Sequence, residues 1–328
     1  MEVHRTLEAA GRNPDTCATV GAFDGLHVGH GKIIETLVRG KEKLRRKGRS
    51  LLITFHPHPQ FVLNPSRTDF RLLTPLDEKL ELLEASGVDA VLVLSFTREL
   101  AERDAESFVR DILVKRIGLS LLVVGSGHHF GKGGTGTRDL LESLGRLLDF
   151  SVQPVGQESV WGMPVSSTRI RQLLSSGGLD EANRMLGRPY RARGRVVRGR
   201  GLGTGLGYPT ANVEVSGEHK LVPCDGVYAV RAGYGGRVWD GMGYIGSAPT
   251  VGDGERRIEV HLFGVKGELY DRPIVIEWIG RIREEIRFPS QQAMQERISK
   301  DKNEAIQLIN AYYGGLNGID EGKKGRAD

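Results

Sequence analysis

The sequence predicts a doubly wound parallel α/β domain followed by a small antiparallel β-barrel and a closing C-terminal helix. Three observations carry this. Between residues 17 and 155, short apolar runs alternate with stretches of helical spacing. Between 190 and 280 that rhythm stops, and short strands are separated by Gly and Pro turns. Between 290 and 312 an apolar stripe of helical period returns. The chain has 328 residues, 39% apolar and 27% charged. At roughly 100–200 residues per domain this is material for two globular cores.

Taken in order, Thr19-Val20 ends a short apolar strand, and Ile33, Ile34, Leu37, Val38 and Leu44 follow at helical spacing. Leu51-Leu52-Ile53-Thr54-Phe55 is a buried strand. A helix starting near Pro75 carries Leu80, Leu82 and Leu83. Ala90 to Leu94 is a strand, Ala105 to Ile117 a helix with Phe108, Val109, Ile112 and Leu113 on one face, and Leu121 to Val124 a strand. Leu140 to Leu148 reads as a helix and Ser151 to Val155 as the last strand of the series. Such alternation implies a parallel sheet covered on both faces, with ligands beyond the carboxyl ends of its strands. Helices follow from Ser166 or Ser167 and at Leu179–Leu186. The barrel strands are expected at Arg195–Val197, Val227–Arg231, Ile258–Phe263 and Ile274–Ile279. Met294, Ile298, Ile306 and Ile309 line the closing helix. The expected domains are 1–186 and 187–313, with a polar, disordered tail at 314–328.

Composition narrows the function. The formal net charge of +5 attracts anions without choosing among them. Aromatics are 6% and no basic run is interleaved with them, which argues against a single-strand nucleic-acid platform. The two cysteines, Cys17 and Cys224, form no disulfide framework and suit a reducing cytosol. No signal peptide and no run of about 18 apolar residues appears, so a cytoplasmic protein without a membrane span is expected. A monomer or weak homo-oligomer with small-molecule ligands and no nucleic-acid partner completes that expectation.

The segment Gly21-Ala22-Phe23-Asp24-Gly25-Leu26-His27-Val28-Gly29-His30 follows the first strand and opens the first helix. Free N–H groups at a helix N-terminus favour anions. His27 and His30, three apart, share a face of the first turn. Two imidazoles beside free N–H groups suit a polyphosphate and can stabilise charge on phosphorus. There is no HExxH zinc motif and no GxxxxGK[ST] loop in this segment. Further on, Ser166-Ser167-Thr168-Arg169-Ile170-Arg171 can cap a helix and add charge-assisted phosphate contacts.

In the second half, the glycines at 199, 201, 203, 205 and 207 precede Tyr208-Pro209-Thr210-Ala211-Asn212. A glycine loop lets backbone N–H groups approach phosphate. Thr210 and Asn212, two apart in an extended segment, offer hard oxygens to one side, of the kind Mg²⁺ accepts beside nucleotide phosphates. Glu259 alternates against Ile258 and Val260. It is either a solvated strand carboxylate or a general base for an alcohol.

These motifs together resemble bacterial bifunctional riboflavin kinase/FAD synthetases. GxFDGxHxGH with SSTRIR, Phe55-His56-Pro57-His58-Pro59 and Leu73–Lys79 are similar to its nucleotidyltransferase module, a Rossmann-like fold. Leu186–Tyr190, LGYPTAN, Asp225–Tyr228, IEVHL and Arg283-Glu284-Glu285 are similar to its kinase barrel. The resemblance implies that riboflavin is phosphorylated by ATP to FMN, and FMN is adenylylated to FAD with release of pyrophosphate. It implies nucleotide or substrate contacts for Gly21, Phe23, Asp24, Gly29, His27, His30, Ser167, Thr168 and Arg169 in the first site. In the second it implies contacts for Gly199, Gly201, Gly203, Gly207, Thr210 and Asn212, Mg²⁺ at Thr210 and Asn212, and a catalytic Glu259. Val124 to Gly131 resembles a family loop that carries Asp or Asn where this chain has Gly127. The family also has Asn near Tyr244.

Overall fold

The structure is a computed structural model describing all residues except 45–47, 128–129, 199–207, 235, 248–255, 266–269 and 325–328, with backbone alone at 315–324. The chain divides into two compact units, Met1–Ser167 and Thr168–Asp328.

In the first unit, β1 (Glu2–His4), β2 (Thr16–Val20), β3 (Arg49–His56), β4 (Ala90–Ser95), β5 (Leu119–Gly125) and β6 (Ser151–Val155) form one sheet in the order β1-β4-β3-β2-β5-β6. Every pairing in it is parallel. Its helices are α1 (Leu7–Ala10), α2 (Val28–Glu42), α3 (Pro59–Leu63), α4 (Leu76–Glu84), α5 (Arg98–Glu102), α6 (Ala105–Ser107) and α7 (Arg138–Leu148). The strands read as unbroken apolar runs because both faces are covered. Leu51, Ile53, Leu92, Leu122 and Val124 pack to one side with Ile112, Leu113, Leu141 and Leu144. Leu52, Val91, Val93 and Val123 pack to the other with Ile34, Leu37 and Leu83. Leu37, fully buried, contributes about 1.5–3 kcal/mol of that apolar drive.

Two features differ from the periodicity reading. Phe108–Ile117, following α6, is wound as a π-helix. Its buried residues Phe108, Val109, Ile112, Leu113 and Ile117 recur at a little over four, which a wider helix keeps on one face. β1, which no apolar run announced, adds a short edge to the sheet. β6 at the opposite edge carries Pro154.

A two-stranded hairpin, β7 (Ser159–Val160) and β8 (Met163–Pro164), precedes α8 (Ser167–Ser176) and α9 (Leu179–Leu186). The units divide after Ser167, the first residue of α8, upstream of the expected boundary at 186. The cause lies in side-chain and backbone bonds of the second unit. Asn183 of α9 donates from Nδ2 to the Trp278 carbonyl at 2.9 Å and accepts the Tyr190 N–H on Oδ1 at 2.7 Å. The Leu174 carbonyl of α8 accepts the Cys224 N–H at 2.9 Å.

The barrel closes in the order β10-β13-β12-β11-β14-β9. Its strands are β9 (Tyr190–Val197), β10 (Ala211–Val215), β11 (Gly226–Tyr234), β12 (Arg237–Ser247), β13 (Arg256–Leu262) and β14 (Pro273–Arg283). All pairings are antiparallel. Two strands escaped the sequence reading. β12 holds Gly241, Gly243 and Gly246 and looks like a loop. Yet a Cβ at Gly241 would strike the His261 carbonyl, and one at Gly246 the Tyr244 hydroxyl. Those glycines mark close approach, not a turn. α10 (Gln291–Lys324) closes the unit, packing Ala305 and Ile309 on Ala229, Met242 and Ile279. It continues past 312, where the apolar stripe ends, so the tail expected from 314 is helical as far as Lys324. That stretch contains no proline to remove a helical hydrogen bond.

Candidate active sites

At the carboxyl end of β2 the chain turns sharply before α2. Phe23, Gly25 and Leu26 all have positive φ, at 48°, 87° and 41°. For Phe and Leu the left-handed region costs about 1–2 kcal/mol each, so the segment must be held from outside. Asp24 holds it from within the fold. Its carboxylate accepts the Leu73 and Thr74 N–H groups at 3.0 and 2.9 Å and the Thr74 hydroxyl at 3.2 Å. The Thr74 hydroxyl oxygen accepts the Gly25 N–H at 2.6 Å. The Ser167 hydroxyl donates to the Asp24 carbonyl at 2.8 Å. The buried Asp24 thus braces the turn.

His27 is buried and caps α2, its Nδ1 accepting the His30 N–H at 3.2 Å. A neutral His27 therefore carries its proton on Nε2. The His27 and His30 rings stack with centroids 3.6 Å apart at 12°, and Phe23 meets His30 edge-on at 5.1 Å. Gly29 permits this, since a Cβ there would crowd the His27 ring at 3.3 Å. Two stacked imidazolium ions would repel by about 4 kcal/mol. Enclosure, then His27, then Lys79 hold His30 well below the usual imidazole range, so it is neutral at pH 7. His30 Nδ1 is enclosed and has no hydrogen-bond partner among the described residues. His30 therefore presents a neutral ring to whatever enters.

Gly21 links β2 to this turn, donating its N–H to the Ile53 carbonyl at 3.0 Å. Thr168 and Arg169 form the first turn of α8. Gly127 lies just after β5, and a side chain there would meet open space. His128 and His129 lie outside the described residues. Sequence reasoning missed Lys79, Thr54 and Thr74. Lys79 is buried in α4, its Nζ donating to the Ala22 carbonyl at 2.6 Å and the Thr54 hydroxyl at 3.3 Å. Lys79 and Thr74 lie in the Leu73–Lys79 segment that carries part of the resemblance, but that resemblance gives them no role and nothing local signals that the lysine is buried.

The second constellation is built by barrel register. Asn212 of β10 lies directly opposite Glu259 of β13, and Tyr244 of β12 lies opposite Glu259 on its other side. Opposed residues share a face, so Asn212, Glu259 and Tyr244 form one row. Along β13, Ile258, Val260 and Leu262 are buried while Glu259 and His261 are half-buried, as the alternation predicts. The Thr210 hydroxyl donates to Glu259 Oε2 at 3.0 Å, fixing the carboxylate. His261 Nδ1 meets the Pro209 carbonyl at 2.8 Å and steadies the same segment. Tyr244 donates to Glu285 at 2.5 Å; burial and that carboxylate push its phenol well above the usual range. Thr210, Asn212 and Glu259 are therefore gathered. Gly199, Gly201, Gly203 and Gly207 lie outside the described residues.

One carboxylate, one hydroxyl and one amide oxygen are a hard donor set. They fit Mg²⁺, which takes one or two carboxylates and completes its shell from water and substrate phosphate. No group of three or more His, Cys, Asp or Glu able to hold a metal occurs among the described residues. Nor is any helix among them long and apolar enough to cross a membrane.

Comparison with known proteins agrees with both halves. Residues 10–169 match the FAD synthetase family model, and residues 186–309 match the riboflavin kinase model. The bifunctional riboflavin kinase/FMN adenylyltransferase of Pseudomonas fluorescens is 39% identical over 87% of this chain and 90% of that protein. Its namesake in Haemophilus influenzae is 33% identical over 95% of this chain and 100% of that one. A solved structure named as a macrolide-efflux protein from Streptococcus pneumoniae superposes with a TM-score of 0.82 at 27% identity. It covers 92% of this chain and 97% of that one. With both catalytic modules matched in order, the chain belongs to the bifunctional riboflavin kinase/FMN adenylyltransferase family.

Proposed function

We propose that the two constellations are the two reaction centres, adenylyl transfer at Gly21–His30 with Ser167–Arg169 and phosphoryl transfer at Thr210, Asn212 and Glu259. The family's activities are riboflavin phosphorylation and FMN adenylylation, and this chain carries both. The observation that supports the second placement best is the Thr210–Glu259 hydrogen bond, with Asn212 and Glu259 in register.

At the barrel, Glu259 accepts the proton of the riboflavin 5′-hydroxyl as its oxygen attacks the γ-phosphorus of ATP, giving FMN and ADP. Thr210 holds the carboxylate in place. Thr210 and Asn212 would hold Mg²⁺, which when bound neutralises phosphate charge. At the α/β site an oxygen of the FMN phosphate attacks the α-phosphorus of ATP and pyrophosphate leaves. No covalent enzyme intermediate is required, so the chain positions the reactants and stabilises charge. His27 and the neutral His30 serve there as hydrogen-bond donors. Ser167, Thr168 and Arg169 hold the polyphosphate.

Product analysis of two variants tests the assignment. With riboflavin, ATP and Mg²⁺, Glu259→Gln is expected to make no FMN yet convert added FMN to FAD. His30→Ala is expected to make FMN and stop there. Equal loss of both steps in either variant would contradict two separate centres.

A further inference from the structure

Behind the Gly21–His30 turn lies a charge that the reaction scheme above leaves unused. Lys79 is 4% exposed, set back in α4 with its ammonium against the Ala22 carbonyl. Thr54 of β3 donates to the same carbonyl at 3.2 Å, so that carbonyl would keep a donor without the lysine. A buried ammonium is costly unless it is paired and hydrogen-bonded. Asp24 is its attractive partner, but that carboxylate already serves Leu73, Thr74 and the turn.

We propose that Lys79 is a positioning residue for adenylyl transfer, sharing the Ala22 carbonyl with Thr54 and supplying at neutral pH a positive charge that His30 lacks. This rests on adenylyl transfer occurring at Gly21–His30. The stacked rings cannot both be charged, and the cation behind them helps keep His30 neutral. A triphosphate arriving at the turn therefore meets two N–H donors and a preorganised charge that requires no rearrangement at the moment of reaction. The groups that bear on Lys79 are Asp24 in the turn, His30 at the start of α2 and neutral Thr54 on β3. Burial pushes the ammonium down to about 8 despite Asp24. Its charge is therefore present at neutral pH and lost on mild alkalinisation.

The sign of the stability effect separates this role from a merely structural one. With the folded-state value depressed, the unfolded chain binds more protons between about 8 and the ordinary lysine value of 10.5, so stability rises with pH across that window. Removing the ammonium should then leave the fold as stable or more so while harming the reaction. In full-length Lys79→Met, FMN-to-FAD kcat/KM is expected to fall roughly 100-fold. Riboflavin-to-FMN turnover in the same preparation should stay within about twofold, with an unchanged or raised Tm. In the wild-type chain, FAD synthesis should decline as pH passes about 8 while FMN formation does not. Wild-type FAD synthesis by Lys79→Met would overturn the proposal, as would loss accompanied by a lowered Tm. Should that variant fail to fold, the wild-type profile decides: FAD synthesis flat from about pH 7 to about 9.5 overturns it. If instead His30→Ala retains full FAD synthesis, the placement of the site fails, and the lysine's role with it.

Discussion

Thr210 shows how a single hydroxyl can be tested. It stands two residues before Asn212 and donates to Glu259, the carboxylate proposed to take the substrate proton. Replacing it with valine keeps the β-branched shape and removes the donor. Thr210→Val is expected to lower kcat for FMN formation by roughly 10–100-fold and to leave FMN-to-FAD conversion unchanged, as parallel steady-state assays would show. At this scale the sequence was most informative where chemistry follows strand or helix period. Alternation put Thr210 and Asn212 on one side of their segment and set Glu259 against its apolar neighbours, leaving barrel register to bring them together, and a spacing of three placed His27 and His30 together. It was silent where three-dimensional neighbours decide the state of a group. The enclosure that, with His27 beside it, keeps His30 neutral is set by the folded turn, and the ring stacking depends on His27 turning back to cap its own helix. The burial of Lys79 depends on a carbonyl far away in sequence.

Among the elements, α10 is fixed by a charge cluster as well as by its apolar stripe. Asp301, 1% exposed, accepts from Nε and Nη2 of Arg283 at the end of β14, the shortest contact being 2.8 Å. Arg283 also lies over the Phe288 ring, its guanidinium carbon 5.6 Å from the centroid. Asp301→Ala would leave a buried guanidinium without its partner, a change that typically costs about 3–5 kcal/mol. A lowered urea midpoint with an unchanged slope would register it. Helices were the legible elements, because α9 and α7 repeat apolar residues at a regular period. Strands were legible when β-branched residues alternated, as in β13. β12 was not, since its glycines serve neighbours that the sequence does not reveal. Nor was the π-wound segment, whose spacing differs from an α-helix by less than one residue per turn.

Across the whole molecule, two reactions in sequence share one chain, and the product of the barrel is the substrate of the α/β unit. If FMN passes between them through solution, neither chain of a mixture needs both centres intact. Mixing Glu259→Gln with His30→Ala is therefore expected to restore FAD formation from riboflavin, after a lag that shortens with protein concentration. Absence of any restoration, with each variant active in its own half-reaction, would mean that FMN does not leave the chain on which it is made. A different consequence follows from how the two sheets end. The barrel closes on itself and so exposes no strand margin, while the open sheet terminates in three-residue β1 on one side and proline-bearing β6 on the other. Neither border offers a neighbouring copy a long ladder of unpaired amides. The chain is thereby guarded against ribbon-to-ribbon accretion at high concentration.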